Sequence, residues 1–79
     1  MLKESDLLED HDYVSNNIKI YKGNLASWRR IFKVNHANES VTYCEMKWLK
    51  DGLKATLKTV SIKAFLKWAV ADVTKETKE

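Results

Sequence analysis

A chain of 79 residues with a formal net charge of +3 is long enough for one domain and one small hydrophobic core. No run of about 18 apolar residues is present, which excludes a membrane-spanning helix. Two glycines far apart exclude a glycine-rich phosphate loop, and one cysteine, Cys44, excludes an internal disulfide.

The net charge hides an asymmetry. Residues 1–12 set one lysine against five carboxylates, a net of −4, whereas residues 13–70 set eleven Lys or Arg against three carboxylates, a net of +8. The reading is an acidic N-terminal segment over 1–12, a single folded domain over 13–73 and a polar tail over 74–79. The first residues are acidic where a signal peptide would be basic and then apolar, and the lone cysteine fits a reducing compartment, so the expected location is the cytoplasm.

In chain order, Ser5–Asp12 reads as a short helix with Ser5 as its cap and Asp6 and Glu9 near its positive end. Ile18 and Ile20 flank Lys19 in a short strand ending near Gly23 and Asn24. In the strand Ser27–Val34, Trp28, Arg30, Phe32 and Val34 share the more apolar parity and are expected to face inward. Arg30 must then find a carboxylate or reach the edge. Asn35–Ser40 is a polar turn. The strand Val41–Leu49 changes parity: Val41 and Tyr43 favour one face, Cys44, Met46 and Trp48 the other. Either both faces are covered or a bulge near Tyr43–Cys44 re-phases the strand. Asp51-Gly52 signals a hairpin into Leu53–Val60, where Leu53, Ala55 and Leu57 alternate with Lys54, Thr56 and Lys58. Ser61 then caps a helix whose apolar stripe is Ile62, Phe65, Leu66, Ala69 and Val73, and Thr74–Glu79 is expected to fray. The fold class expected from these elements is α+β: a small curled antiparallel sheet of three to five strands closed by a C-terminal amphipathic helix.

Trp28-Arg29-Arg30-Ile31 followed by Val41-Thr42-Tyr43 resembles the middle strands of SH3-like and Tudor-like small barrels. Val60–Ala69, with its Ser-x-x-x-Phe-x-x-Trp-Ala pattern, resembles the C-terminal helix of small phage-encoded proteins. The first likeness implies a partly open barrel. Tyr43 lacks the acidic-aromatic turn of Tudor cages, so methyl-lysine reading is not carried over. The second implies an accessory protein that acts on host nucleic acid or on a host enzyme, in the host cytoplasm.

Catalytic and metal chemistry find little support. His11, His36 and Cys44 have no zinc-ligand spacing. Cys44 and His36 could meet across a hairpin, but a thiol in mid-strand between Tyr43 and Met46 is more simply a packed side chain. No catalytic residue, metal or cofactor is expected, and the protein is read as a non-enzyme.

Two binding surfaces remain. Trp68 lies about 120° round the helix from Ile62, taking 100° per residue, on the shoulder of the apolar stripe. With Trp28 and Trp48 assigned to the core, it is the spare tryptophan. Trp68, with Lys63 and Lys67 on the wet side, forms a candidate contact for a host protein. Alternatively, Arg29, Lys33, Lys54 and Lys58 form a basic sheet face for DNA or RNA. The ordinary explanation of those lysines is a solvated strand face protected from aggregation. Of the two functional readings the protein partner is preferred, because the positive charges are scattered over every element.

Overall fold

The computed structural model describes residues 2–77. Its strands are β1 (Asp12–Val14), β2 (Ile20–Tyr21), β3 (Asn24–Leu25), β4 (Ser27–Asn35), β5 (Ser40–Leu49), β6 (Gly52–Ser61) and β7 (Ala71–Asp72). The helices are α1 (Ile62–Trp68) and the single turn α2 (Thr74–Thr77). Five strands form one antiparallel sheet in the order β6-β5-β4-β1-β7, and β2 and β3 form a separate hairpin. The class is α+β, with an open sheet whose edges are β6 and β7. No helix among the described residues is long and apolar enough to cross a membrane.

The three long strands form a meander because each junction has its own turn chemistry. Between β4 and β5, the Asn35 side-chain oxygen accepts the Asn38 amide, and Glu39 adopts a left-handed φ of 53°. Between β5 and β6, Leu49 pairs with Gly52, so the connection is Lys50-Asp51 and Gly52 opens the next strand at φ 128°. In the small hairpin both Lys22 and Gly23 have positive φ, as a two-residue turn that matches strand twist requires.

Register fixes which side chains share a face, since paired residues point the same way. Ile31, Tyr43 and Lys58 stand in one row, and Val34, Val41 and Val60 in another. This is the side that α1 covers. Ile62, Phe65 and Ala69 pack there on Tyr13, Ile31, Val41 and Tyr43, with Leu7 from the N-terminal segment. The Phe65 ring meets Tyr13 and Tyr43 edge-on, with centroids 5.7 and 5.6 Å away. Trp28, Met46 and Ala55 form a row on the opposite, outer face, as do Arg30, Cys44 and Leu57.

Several expectations change. The re-phasing lies in β4, not near Tyr43–Cys44: Ile31 pairs with Tyr43 but Lys33 with Thr42, so Phe32 is the extra residue. Phe32 is consequently 65% exposed, and Trp28 and Val34 lie on opposite faces instead of sharing an inward parity. Trp28 is buried, but on the outer face, and Trp48 is partly exposed instead of belonging to the core. The short helix expected over Ser5–Asp12 is a 3-10 turn at Glu4–Asp6, and Asp12 belongs to β1.

The helix expected to reach Val73 stops at Trp68. The Ser61 hydroxyl accepts the Ala64 amide at 3.0 Å, as its capping position requires, but Ala69 is already extended. Two hydrogen bonds take the chain out of the helix: Val70 N–H to the Val14 carbonyl, and Val73 N–H to the Asp12 carbonyl. β7 thereby pairs with β1, and α1 is neither the end of the chain nor a lid that closes a barrel.

The acidic N-terminal segment is tied to the sheet. The Tyr13 hydroxyl donates to the Asp6 carbonyl at 2.6 Å and accepts from the Leu8 amide at 2.9 Å. Burial raises the Tyr13 pKa above its ordinary value, against the opposing effect of the Leu8 amide. In the expected polar tail, Thr74 accepts the Asp12 amide at 2.9 Å, while residues 78 and 79 lie outside the described residues.

Candidate functional site

β6 brings two chemistries to one strand. Alternation sends Lys54, Thr56 and Lys58 to the helix side and Leu53, Ala55 and Leu57 to the outer side. On the helix side, α1 covers only the end of the sheet near Val34, Val41 and Val60. Toward the other end the row of Arg29, Glu45 and Thr56 is half-buried, and the next row, Ser27, Lys47 and Lys54, is exposed.

Arg29 and Trp68, assigned to different surfaces by sequence, meet here. The guanidinium carbon of Arg29 lies 3.9 Å from the Trp68 ring centroid and 4.5 Å from that of Tyr43. Trp68 is half-buried, and its ring packs at 56° on Phe65. It is thus a support for Arg29 and part of the core margin as well as a surface residue. Lys63 and Lys67 are exposed on α1.

The basic group does not form one band. The bulge at Phe32 turns Lys33 to the outer face, away from Arg29, which the alternation in the sequence had placed on the same side. Lys58 lies 3.5 Å from Glu45. What the sequence reading missed is Lys47, opposite Lys54 in register, and Lys19, which lines a concavity of about 280 Å³ with Ser27, Arg29, Lys47 and Trp68.

The outer face is the larger departure. Leu53 and Leu57 stand in the open, Leu57 at 59% exposure, and Trp48 pairs with Leu53. Toward β4 this apolar surface enters a cleft of about 540 Å³, lined by Ile18, Ile20, Leu25, Trp28, Trp48 and Val73. The β2–β3 hairpin is held beside the sheet by Ala26, whose amide donates to Lys19 and whose carbonyl accepts from Trp48. Among the described residues the indole N–H of Trp28, 92% buried, has no hydrogen-bond partner. An unpaired buried donor of this kind costs about 1–3 kcal/mol. The leucines of β6 carried a signal in their alternation with lysine, but alternation does not say which face a helix will cover.

The titratable groups lie in pairs elsewhere. His11 Nδ1 is 2.7 Å from Asp72, and His36 Nδ1 is 2.7 Å from Glu4. Burial pushes the Asp72 pKa up, but hydrogen bonds from Thr74 and His11 outweigh it and leave the carboxylate below its usual range. Arg30 donates to both oxygens of buried Asp12, and this hydrogen bonding raises the Arg30 pKa against the effect of burial. Cys44 is half-buried opposite Arg30, and His36 sits at the far turn, so the two do not come together. Among the described residues no three His, Cys, Asp or Glu side chains converge as a metal site needs. The chain matches no known protein family, no characterised protein and no solved structure.

Proposed function

We propose that this protein is a non-enzymatic binding module that docks a partner protein on the outer face of its sheet. The observation that carries the reading is the uncovered apolar surface of Trp48, Leu53 and Leu57, continuous with the cleft beneath Trp28. Monomeric domains seldom leave such a surface to water.

The likeness of Val60–Ala69 to phage-encoded proteins suggests a host protein or enzyme as the partner, met in the host cytoplasm and modulated by the contact. The resemblance of Trp28–Ile31 and Val41–Tyr43 to the middle strands of SH3-like barrels accords with a binding scaffold, although such scaffolds serve many functions. Trp68, Lys63 and Lys67 offer a secondary contact along α1.

A nucleic-acid reading draws on Arg29, Lys47, Lys54 and Lys58 on one side of the sheet. It has less support, because Arg29 is stacked on Trp68 and Tyr43 and Lys58 sits beside Glu45. Two neutralised phosphates would give a salt slope of only about −2.

Affinity capture from host lysate, with and without nuclease, separates the two. The expected result is a bound protein that survives nuclease and is lost in Leu57→Asp but kept in Lys47→Glu. Nuclease-sensitive capture lost in Lys47→Glu and kept in Leu57→Asp would overturn the proposal.

A further inference from the structure

β6 is a ten-residue edge strand whose outer edge pairs with no other strand among the described residues. Over Leu53–Thr59 its side chains reach solvent on both faces, with only Thr56 half-buried. Such an edge is a template for another strand, which natural sheets usually block by brevity, a bulge, proline or charge. Here only charge is used, and only on one side. Lys54 and Lys58 lie on the helix face with Lys47 behind Lys54, while Leu53, Ala55 and Leu57 lie on the outer face.

That division selects the occupant. A second copy paired through β6 would bring its own Lys54 and Lys58 to the lysine side, putting at least four lysines together on one face. Like charges in neighbouring cross-strand positions oppose pairing. A strand with carboxylates on that side meets Lys54, which has no carboxylate within 4 Å among the described residues, and Lys58, whose contact with Glu45 at 3.5 Å is an exposed pair. On its other side, apolar residues continue the surface of Leu53 and Leu57 toward Trp48.

Resting on the protein-binding reading, we infer that β6 receives an extended segment of the partner protein in which acidic and apolar residues alternate, added to the sheet as a sixth strand. Backbone hydrogen bonds hold the segment, and side-chain alternation chooses it. Seven residues, Leu53–Thr59, offer about 23 Å of edge at 3.3 Å per residue.

The test uses the full chain and a labelled eight-residue peptide of alternating valine and glutamate, acetylated and amidated at its ends. The comparison peptides carry lysine in place of glutamate, or N-methyl groups on alternate amides. The glutamate peptide is expected to bind at least tenfold more tightly than either and to slow hydrogen exchange of β6 amides. The Lys54→Glu/Lys58→Glu variant is expected to reverse the charge preference. Lys54→Glu alone is expected to weaken glutamate-peptide binding, and it keeps the contact between Lys58 and Glu45 intact. Absence of binding, equal affinity for the two charge types, binding without protection of β6, or self-association through β6 would each overturn strand addition. Lysate capture distinguishes this failure from failure of the underlying reading. If Lys54→Glu/Lys58→Glu leaves protein capture unchanged and Leu57→Asp abolishes it, strand addition falls and the outer-face reading stands. If Leu57→Asp also has no effect, both fall.

Discussion

Arg30 reaches from β4 to both carboxylate oxygens of Asp12 on β1, at 2.6 and 3.1 Å. Asp12 is fully buried while Arg30 keeps about a third of its side chain in water. The cation therefore carries the solvent contact for the pair, and its loss leaves the carboxylate charge in a dry site. Arg30→Met should destabilise the fold by about 3 kcal/mol. That is a large share of the roughly 4–12 kcal/mol expected for 79 residues. Urea unfolding of Arg30→Met and of the Asp12→Asn/Arg30→Met double variant checks this, the double variant recovering part of the loss.

The neighbouring arginine behaves differently. Arg29→Ala removes a cation stacked on two aromatic rings and should cost about 1 kcal/mol. Trp68→Ala removes the platform and its packing on Phe65, with an expected cost of about 2 kcal/mol, below the range for a fully buried tryptophan. Denaturation of both variants measures the difference. A change below about 0.5 kcal/mol for Trp68→Ala would show that Trp68 contributes surface only.

The bulge makes a sharp contrast between adjacent residues. Phe32→Ser should alter stability by no more than about 0.5 kcal/mol, because the ring stands mostly in water. Ile31→Ala, at a fully buried position, should cost about 2–4 kcal/mol. Equal losses in thermal denaturation would contradict the register shift.

Asp72 gives the acid response its sign. Its pKa is lower in the folded chain than in the unfolded one, so it contributes stability above the unfolded value, near pH 4, and loses it as pH falls through the folded value. Asp72→Asn should be less stable than the native chain at neutral pH, and the two should converge once pH falls below the folded value. Urea midpoints measured between pH 2 and 7 test this. Curves that stay parallel throughout would exclude the contribution.

How far the sequence discloses this fold depends on whether a feature is local. The Ser61 cap, the alternation of β6 and the turn at Asn35–Ser40 are written in adjacent residues, and all are present. The need of Arg30 for a carboxylate was also legible, although its partner, Asp12, was not. The helix end was hidden because the apolar period runs on to Val73 with no glycine or proline to stop it. What stops it is β1, more than fifty residues earlier. β1 itself is three residues long, too short to show a period. The candidate site was half legible: Leu53 and Leu57 share a face in either fold, but only the seating of α1 on Ile31, Val41 and Tyr43 leaves that face open.

The position of β1 between β4 and β7 also has a consequence for synthesis. Strands β4, β5 and β6 are joined by short turns and can pair as they leave the ribosome, since their contacts are close in sequence. β1 leaves first but has only one of its neighbours until Ala71 and Asp72 are made. The Asp12 amide must wait longer still, for the Thr74 hydroxyl. A nascent chain that pauses after β6 therefore shows both faces of the meander at once, before Phe65 has covered one of them. The last sixteen residues of the described chain, from Ile62 onward, mark the difference between a half-built sheet and one with a single face to offer.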